Sequence, residues 1–186
     1  MVLSLEKVHL LDEYTINQIA AGEIIENPAS IIKELVENSM DADSSAITVE
    51  IKEGGKKFIR VTDNGIGMTG EDAKLSLLRH ATSKISDSND LEMISTLGFR
   101  GEALASIAAV TQFEMLTRAR ENISGTHIVN HGGKMIDVKE VGCPEGTTII
   151  VQNLFYNTPA RLKFLKSTRA ESAKISDIIS KLIMAN

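Results

Sequence analysis

The chain has a single cysteine, three prolines, no tryptophan and only 4% aromatic residues. One cysteine excludes an internal disulfide, and no Cys/His spacing suits structural zinc, so Cys143 beside Pro144 reads as a small apolar residue. Pro28, Pro144 and Pro159 are scattered, which argues against a proline-rich linker. No apolar run approaches the roughly 20 residues of a spanning helix. The first eleven residues interleave Glu6, Lys7 and His9 where a signal peptide needs an unbroken apolar stretch. These absences predict a cytoplasmic protein with no membrane partner. Basic residues are also in deficit: the formal net charge of -5 argues against a generally basic nucleic-acid binder, though not against a local basic patch.

Familiar nucleotide and hydrolase signatures are missing as well. The sequence contains no Gly-x-x-x-x-Gly-Lys-Ser/Thr loop, no Gly-x-Gly-x-x-Gly after a strand, no His-Glu-x-x-His and no Gly-x-Ser-x-Gly. His127 and His131 are four apart but fall in strand and turn patterns, where a metal pair is disfavoured.

What is present is ordinary globular material, with 42% hydrophobic and 24% charged residues. The 186 residues suit one domain spanning 1–186. Thr15 and Gln18 have capping-box spacing, which predicts a helix from 15 to about 22, ending near Gly22. Asn27 as N-cap and Pro28 as first helical residue predict a second helix, with Ile31, Ile32, Leu35 and Val36 as its apolar stripe. Alternation then predicts a hairpin: Ile47, Val49 and Ile51, a turn at Gly54-Gly55, and a return through Phe58, Ile59 and Val61. Helices are expected over about 69–79 and 101–109, with a polar loop at 81–90 between them. Strands are expected at 112–118, 125–130, 134–140 and 147–153, and a closing helix from about 168. This order predicts an α+β two-layer sandwich, a mostly antiparallel mixed sheet with helices on one face.

Five segments carry chemistry. On the second helix Glu34, Asn38 and Asp41 lie on one side, because positions three or four apart stack. A carboxylate there can orient a water, and an amide oxygen is a hard ligand for Mg2+; the plain alternative is a solvated helix face. Asp63-Asn64-Gly65-Ile66-Gly67-Met68 follows a strand, and Asp63 can accept a hydrogen bond from an exocyclic amine. A calcium loop is the weaker reading, because Ile66 and Met68 interrupt the oxygen ligands and no glutamate stands at the twelfth position. Gly98-Phe99-Arg100-Gly101-Glu102-Ala103-Leu104 runs from a turn into a helix, whose first N–H groups suit phosphate oxygens. Arg79-His80-Ala81-Thr82-Ser83-Lys84 adds hydroxyls and a cation on a segment with the character of a lid. Finally, Gly146-Thr147-Thr148 enters a strand where a threonine hydroxyl can support an adenine, or be an ordinary strand start.

In this order the blocks resemble the GHKL ATPases, the superfamily of DNA gyrase B, the ninety-kilodalton heat-shock chaperones, histidine kinases and the MutL mismatch-repair proteins. Asn17 to Glu23, Lys33 to Ser39, Arg79 to Lys84, Gly98 to Leu104 and Phe155 to Arg161 narrow the resemblance to the MutL family, over nearly the whole chain. The resemblance implies ATP and Mg2+ as ligands, Glu34 as general base and Asn38 as Mg2+ ligand. It also implies Asp63 as reader of the adenine amine, with Gly67 close to the base and Thr148 in support. Thr82, Ser83, Lys84, Gly98, Arg100, Gly101, Glu102, Ala103 and Leu104 would bind phosphates and close as a lid. It further implies ATP-dependent self-association, and work with DNA and other mismatch-repair proteins in a longer protein. Family members continue into a second domain whose lysine reaches the γ-phosphate, so this chain reads as an N-terminal module with slow turnover and weak DNA binding. Two other readings share the site: a nucleotide-binding switch without efficient turnover, and a chaperone or histidine kinase. For the Tyr156 to Arg161 block only a connecting or packing role is expected.

Overall fold

The structure is a computed structural model and describes residues 10–79, 81 and 101–185. Helices α1 (Glu13–Ile24) and α2 (Pro28–Asp41) precede the hairpin β1 (Ile47–Lys52) and β2 (Phe58–Asp63), whose strands are joined through a 3-10 turn at Glu53–Gly55. Then come α3 (Gly70–Leu75), α4 (Ala103–Ala109), and strands β3 (Gln112–Arg118), β4 (Gly125–His131), β5 (Lys134–Val141) and β6 (Gly146–Gln152). A one-turn helix, α5 (Pro159–Leu162), and the long α6 (Thr168–Ala185) close the chain.

The six strands form one sheet in the order β1-β2-β6-β3-β4-β5, and every pairing among them is antiparallel. β6, the last strand in sequence, therefore lies between β2 and β3. Alternation buries Ile59, Val61, Phe113, Met115, Ile149 and Val151 on one face, where they join Ile31, Ile32 and Leu35 of α2 and Ile107 of α4 in a single core. Each such aliphatic or aromatic side chain stabilises the fold by roughly 1.5–3 kcal/mol relative to exposure. No helix among the described residues is long and apolar enough to cross a membrane.

Helix ends depart from the sequence expectation for local reasons. α1 is capped at Asp12 rather than Thr15: the Asp12 carboxylate accepts both the Thr15 N–H and the Thr15 hydroxyl, each at 2.8 Å. Gly22 does not end the helix, which runs on to Ile24. α3 starts behind the Thr69 cap and stops at Leu75, where tighter bonds such as Leu78 N–H to Leu75 O take over. α4 begins at Ala103, behind Glu102.

Candidate nucleotide-binding site

α2 supplies one wall. The Asn27 side chain accepts the N–H groups of Ala29 and Ser30 at 3.0 and 3.3 Å, fixing the start of the helix, and Pro28 fits the first position, which needs no donor. With Ile31, Ile32, Leu35 and Val36 turned into the core, Glu34 and Asn38 occupy the flank one turn apart, both half-buried. Lys33 lies over this flank, 2.8 Å from Glu37 Oε2 and 3.7 Å from Glu34 Oε1. Burial pulls the Lys33 ammonium down, but the hydrogen bond to Glu37 and the charges of Glu34 and Glu37 outweigh it, so its pKa lies above the ordinary lysine value.

Asp63 ends β2 and is buried at 9% exposure. Its Oδ1 accepts two backbone N–H groups, from Gly65 at 3.0 Å and from Thr147 at 3.2 Å. Its Oδ2 accepts the Ser39 hydroxyl at 2.9 Å, from the buried face of α2. A carboxylate offers about four lone-pair sites, so with these three donors Oδ2 keeps the capacity for one more, such as an exocyclic amine.

The segment after Asp63 is stapled on both sides. Ile66 donates to Ala42 O at the end of α2, while Arg120 donates to Ile66 O and Met68 donates to Thr117 Oγ1 at the end of β3. Gly67 has φ +65°, and a Cβ there would overlap the Arg118 carbonyl oxygen. The glycine is thus explained by backbone geometry, whatever lies beyond it.

Of the two threonines at the entry to the last strand, Thr148, the one the resemblance selects, does not stand with Asp63. Register places Thr147 opposite Asp63 and Thr117, on the helix-covered face. Thr148 pairs with Thr62 and Leu116 on the opposite face, and its hydroxyl bonds to Thr62 Oγ1 at 3.1 Å. Because side chains alternate across a strand, a one-residue difference moves the hydroxyl to the wrong side of the sheet. Thr147 and Thr117 are the hydroxyls on the Asp63 side, and sequence reasoning did not single out Thr117 at all.

Of the phosphate-side residues, Gly101, Glu102, Ala103 and Leu104 are described; His80, Thr82, Ser83, Lys84, Gly98 and Arg100 lie outside the described residues. Glu102 pairs with Arg79 at 3.1 Å, and Arg79 also donates to Asn17 Oδ1 at 3.5 Å, so α1, the end of the α3 segment and the start of α4 are tied together. The Phe155 to Arg161 block braces the same elements from behind. Phe155 donates to Val110 O at 2.8 Å, Asn157 Nδ2 donates to Ala109 O at 2.9 Å, and the Arg161 guanidinium stacks over the Phe155 ring at 5.1 Å. That guanidinium lies where a Gly22 side chain would be, which explains a glycine inside α1. A separate surface cavity of about 350 Å³, between Lys56, Lys57, Tyr156 and Leu162, shares no residue with Asp63 or the α2 flank.

A glycine-bent loop beside a buried carboxylate, facing a helix that carries an acid and an amide, on an antiparallel sheet with a helical layer, defines a nucleotide-binding class. Residues 25–140 match the family described as histidine kinase-, DNA gyrase B-, and HSP90-like ATPase, and the chain belongs to that family. Within it, the chain is 56% identical to the DNA mismatch repair protein MutL of Symbiobacterium thermophilum over 180 residues, 97% of this chain and 28% of that protein. The MutL protein of Geobacter sulfurreducens is 51% identical over 179 residues, 96% of this chain and 30% of its own length. Among solved structures, the Aquifex aeolicus MutL ATPase domain complexed with ADP superposes with a TM-score of 0.64 at 35% identity, covering 84% of this chain and 54% of that one. The N-terminal domain of a DNA repair protein gives a TM-score of 0.73 at 28% identity, covering 88% and 47%. The chain thus spans less than a third of the length of these MutL relatives.

Proposed function

We propose that this chain binds ATP between α2 and the β2–β6–β3 part of the sheet and hydrolyses it with Mg2+, as a module of a MutL-type mismatch-repair protein. The observation that carries the reading is the Asp63 carboxylate, held by three protein donors with Oδ2 able to accept an adenine amine. An analogue without that amine leaves the carboxylate short of a partner, which gives selectivity. Glu34 is the group that takes a proton from an attacking water, and Asn38 offers an amide oxygen one turn further along α2.

The donor set fits Mg2+. Among the described residues no three His, Cys, Asp or Glu side chains gather into a cage. Mg2+ commonly takes one or two protein oxygens and completes its shell with phosphates and water, so one amide oxygen beside a triphosphate suffices. Asn38 would hold the ion, which would supply positive charge to offset that of the phosphates.

Thr82, Ser83, Lys84, Gly98 and Arg100, with Gly101 to Leu104, form the phosphate-side lid in this reading, and closure promotes self-association of two such modules. DNA and other repair proteins are partners of the longer protein, in the cytoplasm. This chain alone, with its net charge of -5, binds DNA weakly and with strong salt dependence. The similarity to MutL relatives supports these assignments.

Titration with ATP, GTP and Mg2+ tests the adenine contact: ATP is preferred, and Asp63→Asn loses both affinity and preference. Equal affinity of the parent for ATP and GTP would sink it. Glu34→Ala is expected to lower turnover by about 10² to 10⁴ while ATP still binds. Unchanged turnover would favour a nucleotide switch in which Glu34 has no catalytic part.

A further inference from the structure

We infer that Thr117 is a positioning residue for the adenine pocket, setting the distance between its carboxylate floor and its loop wall. This rests on the reading of Asp63 as the adenine contact.

Thr117 sits one residue before the end of β3 and is fully buried, at 0% exposure. A buried hydroxyl in a strand otherwise filled by Phe113 and Met115 is costly unless its bonds are met. Here they are met by three segments at once. Oγ1 accepts the Met68 N–H at 2.9 Å, lies 2.9 Å from Thr147 Oγ1 and 3.2 Å from Gly146 O. One proton and two lone pairs satisfy all three contacts if Thr117 donates to Gly146 O and accepts from Met68 and Thr147.

The partners are the two walls of the pocket. Thr147 is the residue whose own N–H donates to Asp63 Oδ1, so Thr117 holds the floor through one intermediate. Met68 directly follows Gly67, so Thr117 holds the loop directly. Without this hydroxyl, the Met68 N–H has no other acceptor among the described residues, and the Gly67-Met68 end of the loop loses its direct tie to β3, while the Asn64 and Gly65 end keeps its bonds to Ser45, Ala46 and Asp63. The glycine-bent loop would then no longer be fixed relative to the carboxylate that reads the base. Thr117 touches no ligand in this scheme; it acts through Met68 and Thr147.

The test compares Thr117→Val, which keeps shape and removes the hydroxyl, with Thr117→Ser, which keeps the hydroxyl. Affinities are measured for ATP and for purine riboside triphosphate, which lacks the exocyclic amine. Thr117→Val is expected to weaken ATP binding by roughly ten- to a hundredfold and to narrow the preference for ATP, and Thr117→Ser to restore both. A valine variant that binds and discriminates like the parent overturns the inference, as does a serine variant that fails like valine. Should valine prevent folding, amide exchange at Met68 decides. Strong protection in the parent and in Thr117→Ser supports the tether, and exchange at the rate of an open amide refutes it. A parent that binds no ATP would overturn the reading of the site itself, with Met68 protection unaffected.

Discussion

The backbone N–H of Thr147 donates to Oδ1 of Asp63 at 3.2 Å, across a strand pair formed by residues 84 positions apart. The carboxylate is therefore fixed by the sheet as well as by α2, and its floor is completed by a strand that enters late in the sequence.

The two adjacent threonines should behave differently. Thr147→Val removes a hydroxyl bonded to Thr117 on the site face and is expected to weaken ATP binding several-fold, by about 1 kcal/mol. Thr148→Val acts on the opposite face and should leave binding within about twofold, at an effect below 0.5 kcal/mol. Calorimetric titration of both variants checks the assignment, and a larger effect at Thr148 would reverse it.

Gly67→Ala combines a positive φ with overlap against the Arg118 carbonyl. It should destabilise the protein by about 1–3 kcal/mol and lower its nucleotide affinity. Denaturant unfolding with an unchanged midpoint would show that the loop relaxes freely.

Gly22 and Arg161 should be coupled. Gly22→Ala displaces the guanidinium from its place over Phe155, whereas an Arg161→Ala background removes the three atoms that the methyl would strike most closely. The cycle is expected to give an interaction energy of about 0.5–2 kcal/mol, with the alanine at 22 costing less, or even stabilising α1, once Arg161 is gone. Additive effects would mean that the two do not meet.

Lys33 offers a pH test. Its pKa is raised in the folded chain, so the associated stability is present below the unfolded value near 10.5 and is lost as pH rises through the higher folded value. Lys33→Met should therefore be less stable than the parent at neutral pH, by well under 1 kcal/mol because the side chain is 43% exposed and screened. The gap should close in strongly alkaline buffer, as followed by thermal melts.

Much of this architecture is legible in the residues. Asn27-Pro28 announces α2 and the apolar stripe gives its buried face; the strand patterns place all six strands to within about two residues. The acid and amide on α2 and the Asp63 to Met68 loop stand where their patterns place them. What could not be read is what depends on partners far away in sequence. Thr147 and Thr148 are chemically identical at the entry to β6, and only pairing with β2 and β3 decides which one faces Asp63. Gly22 looks like a helix end until Arg161 is brought against it. Nearer at hand, the Thr15 and Gln18 spacing points to Thr15 as the start of α1, but the Asp12 carboxylate takes both Thr15 donors and caps the helix instead.

The insertion of β6 between β2 and β3 bears on how the protein is made. A nascent chain that has emerged only as far as β5 has β2 and β3 without the neighbour that joins them, so each presents an unpaired edge open to wrong partners. Joining them requires closing a loop of more than eighty residues, a slow, non-local step. Asp63 gains its Thr147 donor in that same step. If Asp63 reads the adenine as proposed, affinity for the base arrives only with the last strand, and nucleotide present during synthesis would selectively stabilise chains that have completed the sheet.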